Sequence, residues 1–195
     1  MLTTLGHSRR ASQQEKLFLI SVFEMAISPE QLNIVQTSWE KVVPIADVAA
    51  DLFYNKLFEL DPTLRPLFPD DLTDQKGKLL AMLTVAVESL TDLKDLLPKV
   101  EQLGRRHILY YGVTASMFPT VGAALLDTLE KGLGDSWDGA HKEAWALVYG
   151  VLSTTMMEAG EKAERRQSVA RASMIERSSE PRNEKETAAE TFVDQ

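Results

Sequence analysis

From Pro29 to about Gly160 the apolar side chains return every three to four positions, and no run alternates apolar with polar long enough to make a strand. That period belongs to helices lying on a core, so the chain is predicted to be all-α. The breakers divide the pattern. Ser28 can cap, Pro29 suits a first helical position and Gln31 completes a capping box. Leu32, Val35, Trp39 and Val42 then share one helix face. Pro44 ends that helix and opens "IADVAADLFYNKLFEL", which stops at Asp61-Pro62. A short helical turn "PTLRPLF" and a polar loop "PDDLTD" lead to a third long helix with Leu79, Leu83, Ala86 and Leu90 on one face. Pro98 interrupts "DLKDLLPKVEQLGRRHIL", predicting two short helices there, with Gly112 as their end. "MFPTVGAALLDTLEKGLG" and "GAHKEAWALVYGVLSTTMMEAG" complete seven to eight helices, with Gly134 and Gly160 as stops.

A chain of 195 residues with 44% apolar residues suits one domain with tails. The domain is expected over 28–160. Residues 1–27 are polar up to Lys16 and then amphipathic, which suits a helix docked on the body. Residues 161–195 have few large apolar side chains and much Ser, Glu and Arg, a pattern of disorder whose first part can extend the last helix by a few turns. The net charge of −8 argues against non-specific nucleic-acid binding, which needs a basic footprint. There is no cysteine, so thiolate metal sites, iron–sulfur clusters and thiol nucleophiles are excluded together. The longest apolar run, Leu17 to Ile27, is interrupted by Glu24 and falls short of the roughly 20 residues of a membrane span. It also makes a poor secretory signal. A cytoplasmic location is expected.

Three histidines remain as candidates for chemistry. His7 lies in the polar leader and His141 stands beside Lys142 and Glu143. His107, in "GRRHILYYG", has an apolar neighbourhood of Val100, Leu103, Ile108, Leu109 and Tyr110. The residues alone leave it open between a half-buried histidine satisfied by a backbone carbonyl and a ligand or catalytic group.

Several separate strings bear on that choice. "TSWEKV" is similar to the tryptophan segment of globins, and "AADLFYNKLFELDPTLRPLF" resembles the second and third helices of bacterial single-domain globins and flavohaemoglobin globin domains. "QKGKLLAML", "LGRRHILYYGV", "VGAALLDTLEKGLG" and "EAWALVYGVL" follow in the family's order. The resemblance, which extends to neuroglobin-like globins, covers about residues 28 to 160 and leaves both tails unexplained. It implies a globin fold of helices around a haem pocket, with haem b (iron protoporphyrin IX) held by one proximal histidine. On the matching motif that ligand is His107. Tyr54 matches the tyrosine that points into the ligand pocket, Gln75 the distal polar position, and Leu79 lies one turn further on the same face. Phe68 matches the phenylalanine that packs on the haem plane, and Lys78 stands where it can pair with a propionate. For each there is a plainer reading as core or solvated surface. The implied function is reversible binding of dioxygen, and of NO and CO, as carrier, store or sensor.

Two departures qualify the resemblance. The string His-Ile-Leu-Tyr-Tyr-Gly-Val holds one residue more after His107 than related globins place there, so either Tyr110 or Tyr111 takes the usual position. Flavohaemoglobin-type globins back the proximal histidine with a tyrosine and a glutamate. Here Phe118 stands at the tyrosine place and the glutamate place falls near Gly160, with Glu158 close by. This weakens a peroxidase-like reading. A nitric oxide dioxygenase or nitrite reductase, the alternative, would need a separate reductase. A haem-free interaction or sensor module is a further alternative that the retained His107 disfavours. Finally, "RRAS" and "RRQSV" place Ser12 and Ser168 in basic-directed kinase motifs.

Overall fold

The structure, a computed structural model, describes residues 27–179 together with the isolated positions 14, 21 and 25. Among the described residues six α-helices make the body: α1 (Pro29–Val42), α2 (Ala46–Leu60), α3 (Thr73–Glu88), α4 (Leu93–Tyr110), α5 (Phe118–Leu133) and α6 (Gly139–Ser179). Short 3₁₀ segments link them, and the described residues contain no strand. The predicted capping box forms. Ser28 Oγ accepts from the Gln31 amide at 3.1 Å, and Gln31 Oε1 accepts from the Ser28 amide at 2.9 Å. Ile27 is buried before the cap and Leu32 packs after it, so the first turn is pinned to the core. Residues 1–26 otherwise lie outside the described residues, Ser12 among them.

The core is assembled from the predicted helix faces. α4 packs along α6, α2 against α5, and α1 against α6 and α3. Two tryptophans tie the layers. Trp145 of α6 donates to Ser38 Oγ of α1 at 2.9 Å, and Trp39 of α1 donates to Thr84 Oγ1 of α3 at 3.2 Å. Their rings stand 6.0 Å apart. Both indole N–H groups therefore keep a partner while the rings bury their apolar area.

Three expectations need correction. Residues 93–110 form one continuous helix, not two. Pro98 removes one backbone donor, the partner of the Lys94 carbonyl, but Lys94, Asp95, Pro98 and Lys99 all face solvent, which can satisfy that carbonyl. Gly160 does not stop the last helix, because α6 runs on to Ser179 as a helix of 41 residues. The segment expected to be disordered from residue 161 is thus helical through Ser179, further than the few turns allowed for. Its side chains are mostly exposed, Ser168 included.

Gly160 has a different use. A Cβ there would collide with the Ile108 side chain, and one at Gly104 would collide with the Met156 backbone carbonyl. α4 and α6 thus approach with glycine on both sides, closer than alanine would allow. That approach sets the position of everything on α4.

Candidate functional site

His107 lies in the last turn of α4. Its Nδ1 stands 2.9 Å from the carbonyl oxygen of Leu103, four residues earlier. A carbonyl can only accept, so Nδ1 carries the hydrogen and the neutral ring keeps its lone pair on Nε2. Nε2 has no hydrogen bond to any described residue. Burial pushes the imidazole below its ordinary value of 6.5, with the Leu103 bond opposing, so the ring is neutral near pH 7. The backbone-carbonyl partner of the plainer reading is thus present, and it leaves the second ring nitrogen for the ligand reading.

The corner after His107 is closed by that residue's own carbonyl. The His107 carbonyl accepts from both Tyr111 N (3.3 Å) and Val113 N (3.1 Å), and Gly112 takes a positive φ of 69°. Tyr111 sets its edge against the imidazole, with ring centroids 5.5 Å apart and planes at 77°. Tyr110 turns out to solvent, 72% exposed. Of the two candidates, Tyr111 stands beside the histidine. Among the described residues His107 has no carboxylate partner. Gly160 packs on Ile108, and Glu158 is exposed on α6. Phe118 is buried and uses its carbonyl to accept the Tyr149 hydroxyl at 2.5 Å.

The second group of residues is gathered by α2, the 62–72 segment and the start of α3. Tyr54 is 3% exposed, and its hydroxyl donates to the Gln75 carbonyl across a long 3.4 Å. Burial raises the phenol to about 12, with Gln75 opposing the shift. Around it stand Phe53 (5.2 Å), Phe68 (5.6 Å) and Phe58 (6.0 Å), the first two edge-on. An ion pair between Lys76 of α3 and Asp51 of α2 braces the turn that presents Gln75. Tyr54, Phe68 and Gln75 are therefore neighbours. Leu79 joins the core on the α1 and α5 side, and Lys78 is exposed.

Sequence reading missed Phe58 and Arg65. Phe58 lies four residues after Tyr54, so it had to share that helix face. Arg65 hides among prolines in an irregular segment, where no period points to it. Two small apolar voids of about 10 and 30 Å³ lie beside the rings around Tyr54 and deeper in the core, one lined by Trp39, Phe53, Leu79 and Leu129, the other by Leu83, Trp145 and Tyr149. Among the described residues no cluster of three or more His, Asp or Glu could hold a metal ion, and no single helix is long and apolar enough to cross a membrane.

The geometry accords with the comparisons. The globin family model matches residues 51–156, more than half of the chain. Neuroglobin of Danio rerio is 28% identical over 144 residues, covering 67% of this chain and 90% of that protein. Neuroglobin of Dissostichus mawsoni is 26% identical over 146 residues, covering 68% and 91%. Among solved structures, a bacterial globin from Campylobacter jejuni superimposes with a TM-score of 0.58 at 24% identity, covering 71% of this chain and 99% of that one. The ordered helices, the histidine near the end of α4 and the matched span together place this chain in the globin family.

Proposed function

We propose that the chain binds haem, iron protoporphyrin IX, through His107, and reversibly binds dioxygen and other diatomic gases such as NO and CO as a carrier, store or sensor. The observation that carries this reading is the state of the imidazole. Its Nδ1 is tied to Leu103, its Nε2 lone pair is free, and burial keeps it unprotonated. A single neutral nitrogen, with no other metal-holding cluster among the described residues, suits a metal whose remaining ligands come from a macrocycle. The fit rests on that donor chemistry. Bound there, haem would supply an iron able to take up a diatomic gas reversibly.

The chain's own residues would do the rest. The Leu103 carbonyl orients the ring so that its lone pair points away from α4. Tyr54 offers a neutral hydroxyl inside an aromatic wall, and its present acceptor at 3.4 Å is weak enough to exchange for a ligand with partial negative charge. Phe68 and Phe58 keep water from that hydroxyl. With Gly160 packed on α4 and Glu158 exposed, no carboxylate among the described residues strengthens the donation from His107. This favours ligand binding over redox catalysis with a separate reductase.

The test is a visible spectrum of the purified protein and of His107→Ala, oxidised, reduced and under dioxygen. The wild type is expected to carry haem, to be five-coordinate when reduced and to bind dioxygen stably. His107→Ala is expected to lose or scramble those bands. No haem uptake by the wild type, even on reconstitution, would sink the reading and leave a helical interaction module.

A further inference from the structure

The 61–72 segment that links α2 to α3 holds prolines at 62, 66 and 69, each without a backbone donor. After the 3₁₀ turn Pro62–Leu67 ends, the carbonyls of Phe68, Pro69 and Asp70 have no helix ladder to join. One side chain reaches all three. Arg65 donates from Nη1 to the Phe68 carbonyl at 3.1 Å and the Pro69 carbonyl at 3.0 Å, and from Nη2 to the Asp70 carbonyl at 3.2 Å. Its guanidinium also lies over the Phe58 ring, 5.4 Å from the centroid. Phe58 and Phe68 are packed on each other at 5.5 Å, and both touch Tyr54. A planar fork with several donors and a stacking face is what this task needs, and a lysine provides neither.

We infer that Arg65 is the positioning residue of the ligand side: by clamping the Phe68–Asp70 backbone and the Phe58 face, it sets where the Tyr54 hydroxyl stands. The inference deepens the haem reading and rests on it for its consequence, a slower release of ligand. The clamp itself is a property of the chain and is measurable without haem.

The experiment uses the full chain with Arg65→Met, Arg65→Lys, Tyr54→Phe and the Arg65→Met/Tyr54→Phe pair. In haem-free protein, amide exchange at Leu67, Phe68 and Asp70–Leu72 is expected to quicken about tenfold or more in Arg65→Met. The tyrosine ring NMR signals of Tyr54 should shift or broaden, and Arg65→Lys should not restore either readout. In haem-loaded protein, Arg65→Met should speed dioxygen release about three- to tenfold, the scale of one weakened hydrogen bond, but add little on top of Tyr54→Phe. Unchanged exchange, or a loosened segment with undisturbed Tyr54 signals, overturns the inference. So does an equal acceleration of release in both Tyr54 backgrounds, which would make Arg65 a loop anchor only. A wild type that takes up no haem fails the functional reading by itself, while the exchange and ring signals still decide the clamp.

Discussion

The two sides of the candidate site hold their polar atoms in different ways. His107 sits on a helix that meets α6 through Gly104 and Gly160, and its nitrogen is tied to a carbonyl on its own helix at 2.9 Å. Tyr54 sits in a wall of rings closed by an irregular, proline-rich segment, and its hydroxyl reaches a carbonyl of another helix at 3.4 Å. In the first arrangement two helices meet closely and the imidazole bonds to a carbonyl of its own helix. In the second the phenol bonds across to another helix and is held by ring contacts beside one guanidinium. A group that ligates a metal has to keep one orientation, whereas a group that meets an incoming ligand has to release its old partner. On the proposed function, the shorter bond falls on the metal side and the longer one on the ligand side.

The largest effect is expected where the rigid side is overpacked. In Gly104→Ala the new methyl meets the Met156 carbonyl, which as backbone cannot rotate away. α4 must shift, and denaturant unfolding should show a loss of about 1–3 kcal/mol, with His107 displaced. Gly77→Ala is the control on the ligand side. It lies exposed inside α3 with nothing near its added carbon, so it should gain about 0.5–1 kcal/mol from helix propensity. Equal effects at the two glycines would remove the contrast between a tight and an open helix surface.

A smaller effect is expected at Tyr54. Its hydroxyl makes one long hydrogen bond while the ring does the packing, so Tyr54→Phe should change unfolding stability by less than about 1 kcal/mol. Dioxygen release measured by stopped flow should nevertheless quicken about fivefold, the worth of one donor at roughly 1 kcal/mol. A variant that is strongly destabilised, yet releases ligand at the normal rate, would mean that the hydroxyl braces the fold and does not meet the ligand.

How far the sequence was legible follows the same division. The helix faces, Trp39 on the first among them, and the capping box at Ser28 could be read because period and caps are local. Pro98 misled because its cost depends on which face it occupies, and exposure on that face is a tertiary fact. Gly160 misled for a similar reason. A glycine that ends a helix and one that lets two helices touch look alike in sequence, and only the position of Ile108 separates them. Tyr54, Phe68 and His107 were reached through the resemblance, not through spacing. The carbonyl that orients His107 has no side-chain signature at all, although a histidine near a helix C-terminus always has one four residues back. Arg65 was missed because its partners are backbone carbonyls in a segment without a period.

The smallest expected effect tests the burial of His107 through acid. In the folded chain its pKa lies below the ordinary 6.5, burial being the larger cause. As pH falls through about 6.5 the unfolded chain takes up a proton at this ring while the folded chain does not. Stability is therefore fully present above that value and declines below it, until the folded ring also protonates. Urea unfolding of haem-free protein between pH 7.5 and 5 reads this as a fall in the midpoint, and His107→Leu should flatten the slope, other groups contributing equally to both proteins. A slope that is the same with and without His107 would mean the imidazole is as well hydrated folded as unfolded. The neutral lone pair that distinguishes the rigid side from the exchangeable one would then lose its physical basis.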